Sequence, residues 1–307
     1  MLTGEQLAAR SARAVRAAVD AAGAQGLSVD HPAVLHDVFS VVVHLRPEPV
    51  VARIQVVVPL GMTARAQAAR QQRELDVVTW LAGQGVPVIA PSDLVPRKPV
   101  RRDGFSMTFW ELADVTPEHV PYSGVGVEYT ARLNATLSEY PAALPFLAPF
   151  NTGLPNMLAA LQESSLLTAG DITRARAEYH ALHELLGSRE SFESSFPGVA
   201  VQALHGDGPA HNVIRTTDGV RFSDFEDVTC GPAEWDLAMM GEAANAEYDV
   251  AAQALGLRAT DPELQRLMDA ARTLQFIGCV TLIPQLPVLR DGLIPAIEAW
   301  RAGPPIG

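Results

Sequence analysis

Asp207, Asn212 and Asp224 are residues whose types and spacing could do chemistry. In His205-Gly206-Asp207-x-x-x-x-Asn212 a side-chain amide follows a carboxylate by five positions, and Asp224-Phe225-Glu226 begins twelve positions further on. Between them, Val213-Ile214-Arg215 and Val220-Arg221-Phe222 flank Thr216-Thr217-Asp218-Gly219. Asp-Gly is a tight-turn signal, so the pattern predicts a hairpin that folds Asp224 back beside Asn212. Transfer of a γ-phosphoryl group asks a protein mainly for positioning and charge neutralisation. Mg²⁺ prefers oxygen ligands and takes few protein carboxylates. Asn212 and Asp224 are therefore read as Mg²⁺ ligands, and Asp207 as the group that accepts the proton of an attacking hydroxyl or orients it. His205 and His211 admit another reading, a metallohydrolase, because imidazole is a common transition-metal ligand. No H-E-x-x-H or H-x-H run completes such a site.

These residues must be held by regular elements. Residues 3–22 are alanine-rich and read as a helix, closed by Gly23 to Asp30, and Pro32 begins an extended region. Val38 to Leu45 and Val50 to Val58 are β-branched runs joined by Arg46-Pro47-Glu48-Pro49, a hairpin pattern, and Phe105 to Leu112 is a further strand. Thr63 to Gln84 is a long helical stretch in which Glu74, Val77, Val78 and Leu81 share one face, so Glu74 lies on the apolar side and needs a partner. Its alternative is a boundary residue that reaches solvent. Beyond residue 113 the pattern is mostly helical: Val125 to Glu139, Pro155 to Leu166, Asp171 to Leu186, Ala233 to Tyr248 and Pro262 to Ile283. Pro141 to Pro155 reads as a connecting loop that could lie over an acceptor, and Gly303 to Gly307 as a frayed tail.

The stretch from His205 to Ala238 resembles the catalytic core of the aminoglycoside phosphotransferase family of small-molecule kinases, relatives of the protein kinases. That family writes its catalytic loop H-G-D-x-x-x-x-N and its metal loop D-F-x or D-x-D, matched here by His205 to Asn212 and Asp224 to Glu226. The resemblance implies an α+β, protein-kinase-like two-lobed fold with a small antiparallel-sheet N-lobe and a mainly helical C-lobe. It divides the chain into a nucleotide-binding lobe at 1–113, including the N-terminal helix, and a catalytic and substrate-binding lobe at 114–307. It implies ATP or GTP as donor, Mg²⁺ as cofactor and a hydroxyl-bearing small molecule as acceptor. Asp236, in Gly231-Pro232-x-Glu234-Trp235-Asp236, would tie down the backbone of the catalytic loop, and backbone groups of Glu111 and Leu112 would meet the adenine ring.

Two departures from the pattern are visible. The segment His36 to Ser40, where a loop would cover the phosphates, contains no glycine, and the single lysine of the chain, Lys98, lies in a turn-like Pro96-Arg97-Lys98-Pro99. Where the pattern places a strand lysine, Val50-Val51-Ala52-Arg53-Ile54 has Arg53. Arginine can bridge phosphate and carboxylate, though its fork is not an ammonium. Arg53 is therefore read as the substitute, paired with Glu74, against the alternative of an ordinary strand residue. These departures also motivate a second function, a catalytically impaired nucleotide-binding regulator of the same fold.

Composition sets the surroundings. The chain has 307 residues, 48% of them apolar, enough for one or two substantial cores. No apolar run reaches the roughly 18 residues of a membrane helix, and Arg10, Arg13 and Arg16 interrupt the N-terminal region, so neither a membrane partner nor a signal segment is expected. Two cysteines build no disulfide framework, which points to a reducing, cytoplasmic compartment. Residues 1–113 carry 12 Lys and Arg against 10 Asp and Glu, and the remainder 11 against 25. That acidic half disfavours nucleic acid and suits a cationic acceptor, or is simply a solubilising surface. Acceptor identity and oligomeric state have no signature.

Overall fold

The protein is described by a computed structural model covering residues 1–306. Met1–His119, Ile214–Glu226 and Leu282–Pro287 form one compact unit; Val120–Val213, Asp227–Thr281 and the chain from Val288 onward form the second. The sequence reading divides the chain by a single cut after residue 113, whereas the first unit also takes in two later segments.

In the first unit, helix α1 (Gly4–Ala24) starts from a capping box in which Thr3 and Gln6 exchange side-chain and backbone hydrogen bonds. Its Ala14, Ala17, Ala18, Ala21 and Ala22 are buried, small side chains that let the helix lie close to the sheet. That sheet is antiparallel, in the order β1-β2-β3-β5-β4: β1 (Val29–Asp37), β2 (Ser40–Pro47), β3 (Val50–Gln55), β5 (Phe105–Glu111) and β4 (Val100–Arg102). β1 is longer than the extended region read from Pro32, and its sequence hides it. It is a largely exposed edge strand with His31, Pro32 and two register shifts in place of clean apolar alternation. Between β1 and β2 only Val38 and Phe39 form the turn, and the Phe39 carbonyl accepts from the amides of Val56 and Val57. Helix α2 (Ala64–Gly83) is capped by the Thr63 hydroxyl and buries Gln67, Gln71, Glu74, Leu75, Val77, Val78 and Leu81. Its first turns bury polar groups that are matched across the sheet: Gln67 donates to Gln55 at 2.8 Å, and Ser106 donates to Gln71 at 2.5 Å. From the far end of the chain, Gln285 pairs its side-chain amide with both backbone groups of Val58 and accepts from Arg10 through its carbonyl.

The expected hairpin is present as β7 (Val213–Thr216) and β8 (Gly219–Phe222), with Gly219 at φ 126°. Phe222 of β8 donates to Pro87 and accepts from Ile89, so the hairpin is stitched to the first unit.

The second unit holds α3 (Val127–Leu137), α4 (Leu154–Ala159), α5 (Ala169–Leu186), α6 (Arg189–Ser195), the strand pair β6 (Gln202–Leu204) and β9 (Thr229–Gly231), α7 (Glu242–Ala254), α8 (Pro262–Gly278) and α9 (Leu289–Ala302). The single helix expected over 233–248 is instead a 3₁₀ turn at Ala233–Trp235 followed by α7. Met239 at φ 68° and Gly241 at φ 87° break it, and Asp269 holds the break by accepting from the Met239 amide at 2.8 Å. Nor is Pro141 to Pro155 a loose loop: Leu147, Phe150 and Leu154 are fully buried and residues 149–153 form a π-helical turn running into α4. The tail is tied rather than frayed as far as it is described, with Arg174 donating to the Pro304 carbonyl and the Ile306 amide reaching Glu178. Gly307 lies outside the described residues. Among the described residues no helix is long and apolar enough to cross a membrane.

Candidate functional site

The catalytic-loop sequence belongs to the second unit, and its backbone is held from three sides. Asp236, buried, accepts from the His205 amide at 3.1 Å and the Gly206 amide at 2.8 Å, the tie the resemblance implied. Burial pushes the Asp236 pKa up, opposed by His205, the two amides and Arg272. Trp235 Nε1 donates to the Gly206 carbonyl at 2.9 Å, and Arg272 Nη2 to the same oxygen at 2.8 Å. Glu234 anchors the run beneath: fully buried, it takes a two-pronged ion pair from Arg258 at 2.7 and 2.6 Å and the Asp261 amide at 2.8 Å.

Gly206 must be glycine twice over. Its φ is 92°, and a Cβ there would stand 2.0 Å from the carbonyl oxygen of Asp227. This kink presents Asp207, whose side chain is 52% exposed, in contrast to the buried His205 before it. Asp207 Oδ2 lies 3.4 Å from Asn212 Nδ2, and Oδ1 lies 3.4 Å from Arg272 Nη1. Asn212 Nδ2 also donates to the Asp207 carbonyl, so the amide's nitrogen end is committed to the loop and its oxygen is the end a cation would use. Cys279, also in this unit, has its thiol pKa pushed up to about 12 by burial and by the charges of Asp207 and Asp227.

The metal-loop sequence belongs to the first unit, where it meets a network the sequence shows only in part. Arg53 is on the central strand β3, opposite Val42 and Thr108. Its Nη1 binds Glu74 at 2.5 Å, and its Nη2 binds both Asp224 at 2.6 Å and Glu226 at 2.5 Å. Arg70, one helical turn before Glu74, donates through Nε to the Glu226 carbonyl at 2.8 Å and through Nη2 to its carboxylate at 3.2 Å. Burial alone would lower the Arg53 pKa, but Asp224, Glu74 and Glu226 outweigh it and raise it. For Glu74 burial wins over Arg53 and the pKa rises, whereas for Glu226 the attraction of Arg70 and Arg53 overcomes burial and the pKa falls. Asp224 sits at φ 62°, a left-handed conformation that Asp tolerates better than most residues and that is frequent at functional positions.

So the structure brings Arg53 and Glu74 together, as read, and adds two carboxylates and a second arginine to them. Arg70 could have been found, since it precedes Glu74 by four positions and shares its face. No sequence pattern singles out Arg272. The amides of Glu111 and Leu112 donate to the carbonyls of Ala90 and Pro49 at 2.9 and 3.1 Å. The amides of both residues are thus engaged within the unit, which leaves only their carbonyl oxygens for the adenine contact that the resemblance implies. Both line a shallow depression of about 290 Å³ with Ile89, Asp114, Thr217 and Arg221. The amide oxygen of Asn212 and the carboxylate of Asp224 are each hard oxygens of the kind Mg²⁺ prefers.

Solved structures share this fold at low identity. The microcompartment-associated aminopropanol kinase aligns with a TM-score of 0.60 at 13% identity, over 92% of this chain and 94% of its own. Choline kinase LicA from Streptococcus pneumoniae gives 0.58 at 13% identity, over 92% and 99%. Aminoglycoside phosphotransferase APH(3'')-Id from Streptomyces rimosus gives 0.53 at 18% identity, over 85% and 98%. No curated protein sequence matches the chain at a significant level. The fold is thus the α+β, protein-kinase-like one expected from the sequence. Residues 41–271, well over half the chain, match the phosphotransferase enzyme family, and the chain belongs to that family.

Proposed function

We propose that the protein is a small-molecule kinase that moves the γ-phosphoryl group of ATP or GTP to a hydroxyl of a small acceptor. In this reading the acceptor oxygen forms a bond to the γ-phosphorus, the bond from that phosphorus to the bridging oxygen breaks, and the nucleoside diphosphate leaves. Asp207 orients the hydroxyl and takes its proton. Asn212 and Asp224 are the ligands of Mg²⁺, which when bound neutralises phosphate charge. Arg53, positioned by Glu74, faces the phosphates, and carbonyl oxygens of Glu111 and Leu112 meet the base. The observation that carries the proposal is the catalytic loop itself. Asp236, Trp235 and Arg272 fix the backbone on both sides of Gly206, yet the next side chain, Asp207, is left half exposed. A purely structural loop has no need to present a carboxylate on so constrained a kink.

For the acceptor, the proposal is an amino alcohol or amino sugar. Two observations support it: the net acidity of residues 114–307, and the amine-bearing acceptors named for the aminopropanol kinase and choline kinase that share the fold. A second reading, a nucleotide-binding regulator with impaired turnover, is favoured by one observation. The Arg53 guanidinium is already shared among three carboxylates, including the proposed metal ligand Asp224.

One experiment separates the readings. Nucleotide should raise the melting temperature more with Mg²⁺ than with EDTA, and Asp224→Ala should erase the difference. Slow Mg²⁺-dependent hydrolysis of ATP, accelerated by an amino-alcohol acceptor, supports the kinase. Metal-dependent binding with no hydrolysis and no product from any acceptor supports the regulator, and stabilisation that ignores the metal removes both metal ligands from the proposal.

A further inference from the structure

Arg272 lies one residue beyond the stretch that matches the family, on helix α8, and it is 5% exposed. Its helix neighbours Met268, Ala271 and Leu274 are buried and apolar, so an apolar residue would be the inexpensive occupant of this position. A buried guanidinium is costly unless it is paired and hydrogen-bonded. Here every contact except that with Gln275 leads toward the catalytic loop. The guanidinium carbon lies 4.1 Å from the Trp235 ring centroid, a cation–π contact. Nη2 donates to the Gly206 carbonyl at 2.8 Å and lies 3.4 Å from the Trp235 carbonyl, while Nη1 donates to Gln275 at 2.9 Å and stands 3.4 Å from Asp207 Oδ1.

Resting on the proposed function, we infer that Arg272 is a positioning residue that fixes the carboxylate of Asp207 for the reaction. Two features of the geometry carry this. First, the two oxygens of Asp207 face different partners, Oδ1 toward Arg272 and Oδ2 toward Asn212, which sets the plane of the carboxylate as well as its place. Second, the guanidinium cannot follow Asp207: Trp235, two carbonyls and Gln275 pin it, and the 3.4 Å separation orients the carboxylate without the close two-pronged pairing that would sequester it. The neighbouring peptide is fixed by the same group, since the Gly206 carbonyl receives both Arg272 and Trp235 while Asp236 holds the Gly206 amide. Arg272 therefore acts through Asp207 and touches no reacting atom.

The test uses the full chain with Arg272→Met, which keeps a long stem over Trp235, Arg272→Lys, which keeps charge without the fork, and both again in an Asp207→Asn background. With Mg²⁺ and ATP, Arg272→Met should lower kcat by roughly 10- to 100-fold, the scale of a small misplacement of a reacting group. Its KM for ATP should stay within about twofold, because uniform binding is not what was removed. Arg272→Lys should recover part of kcat, and Arg272→Met should add almost nothing once Asp207 is Asn. A folded Arg272→Met with kcat within about twofold of wild type, or losses that multiply with Asp207→Asn, overturns the inference. Were the wild type to show no turnover with any nucleotide, the kinase reading falls by itself. The coupling is then read from the melting temperatures of wild type, Arg272→Met, Asp207→Asn and their double mutant, where strictly additive shifts overturn it and non-additive ones support it.

Discussion

Replacing Arg53 by alanine should destabilise the first unit in a pH-dependent way. Glu74 is the reason: its side chain is 2% exposed and its bond to Arg53 is 2.5 Å long. Removing one partner of a buried ion pair strands the other, at a cost of about 3–5 kcal/mol. Asp224 and Glu226 also lose a partner, but they are 42% and 27% exposed, and Glu226 keeps Arg70. Glu74 therefore dominates. Its pKa is already raised by burial against the pull of Arg53, and without Arg53 it rises further. A carboxyl whose folded pKa lies above its unfolded one is penalised where it must be charged. The penalty is absent below the unfolded value near ~4.3, grows as pH rises, and is complete above the folded value. Urea denaturation of Arg53→Ala should accordingly show a larger loss near neutral pH than near pH ~5. In a Glu74→Gln background the same substitution should do much less harm. A loss within about 0.5 kcal/mol, as at an exposed site, or an equal loss at both pH values with additive mutants, would refute the reasoning.

Asp207→Asn keeps the size and removes the charge, and phosphoryl transfer to an acceptor should drop by about 10² to 10⁴-fold with nucleotide binding retained; a mutant at half activity excludes Asp207 from the chemistry. Gly206→Ala places a Cβ 2.0 Å from a backbone oxygen at φ 92°, so it should lose at least about 1–2 kcal/mol of stability together with turnover, and a fully stable, active Gly206→Ala would show that the loop can move. Asp171, buried and bound by Arg301 through bonds of 3.0 and 2.6 Å, has its pKa lowered chiefly by that arginine, so its contribution is present above about pH 3.9 and lost as pH falls through the depressed value. Thermal melts between neutral pH and pH ~2 should therefore fall more steeply for wild type than for Asp171→Asn, and parallel curves would refute the linkage.

What the sequence made legible was local. The H-G-D-x-x-x-x-N loop, the Asp-Gly hairpin and the apolar face of α2 that carries Glu74 are each written within about twenty consecutive residues, and the structure contains each of them. The α+β class comes with the family resemblance that the catalytic loop carries. What stayed hidden depends on contacts between distant residues or on breaks without a strong composition signal. β1 is an exposed edge whose pattern lacks alternation, and α9 carries Pro295 in its interior, which argues against a helix by propensity. The break after Trp235 is held by Asp269, thirty positions away, acting on a residue, Met239, that ordinarily continues a helix. Arg272 is sixty-five positions from Asp207 and sits in a helix whose amphipathic pattern gives it no special place.

Arg53 shows how a reading of a residue's partners can be incomplete. From sequence it takes the place of a lysine with one carboxylate partner; in the structure its fork serves three, Nη1 holding Glu74 and Nη2 shared between Asp224 and Glu226. An ammonium is a single point charge on a flexible stem, whereas a guanidinium spreads its donors in a plane and can bridge groups that lie apart. The fork of Arg53 thus sits in a wider acidic surround, and Arg70 supplies the second cation that such a surround requires. In the proposed function this surround also bears on how Arg53 would meet a phosphate. The carboxylates take three of its five N–H donors, so a phosphate oxygen would be met through the others, on Nη1 and Nε, or by release of a carboxylate, and Glu74, nearly inaccessible and with Arg53 as its close cation, is the least able to let go. Asp224 and Glu226, more exposed, are the partners that nucleotide and metal would compete for.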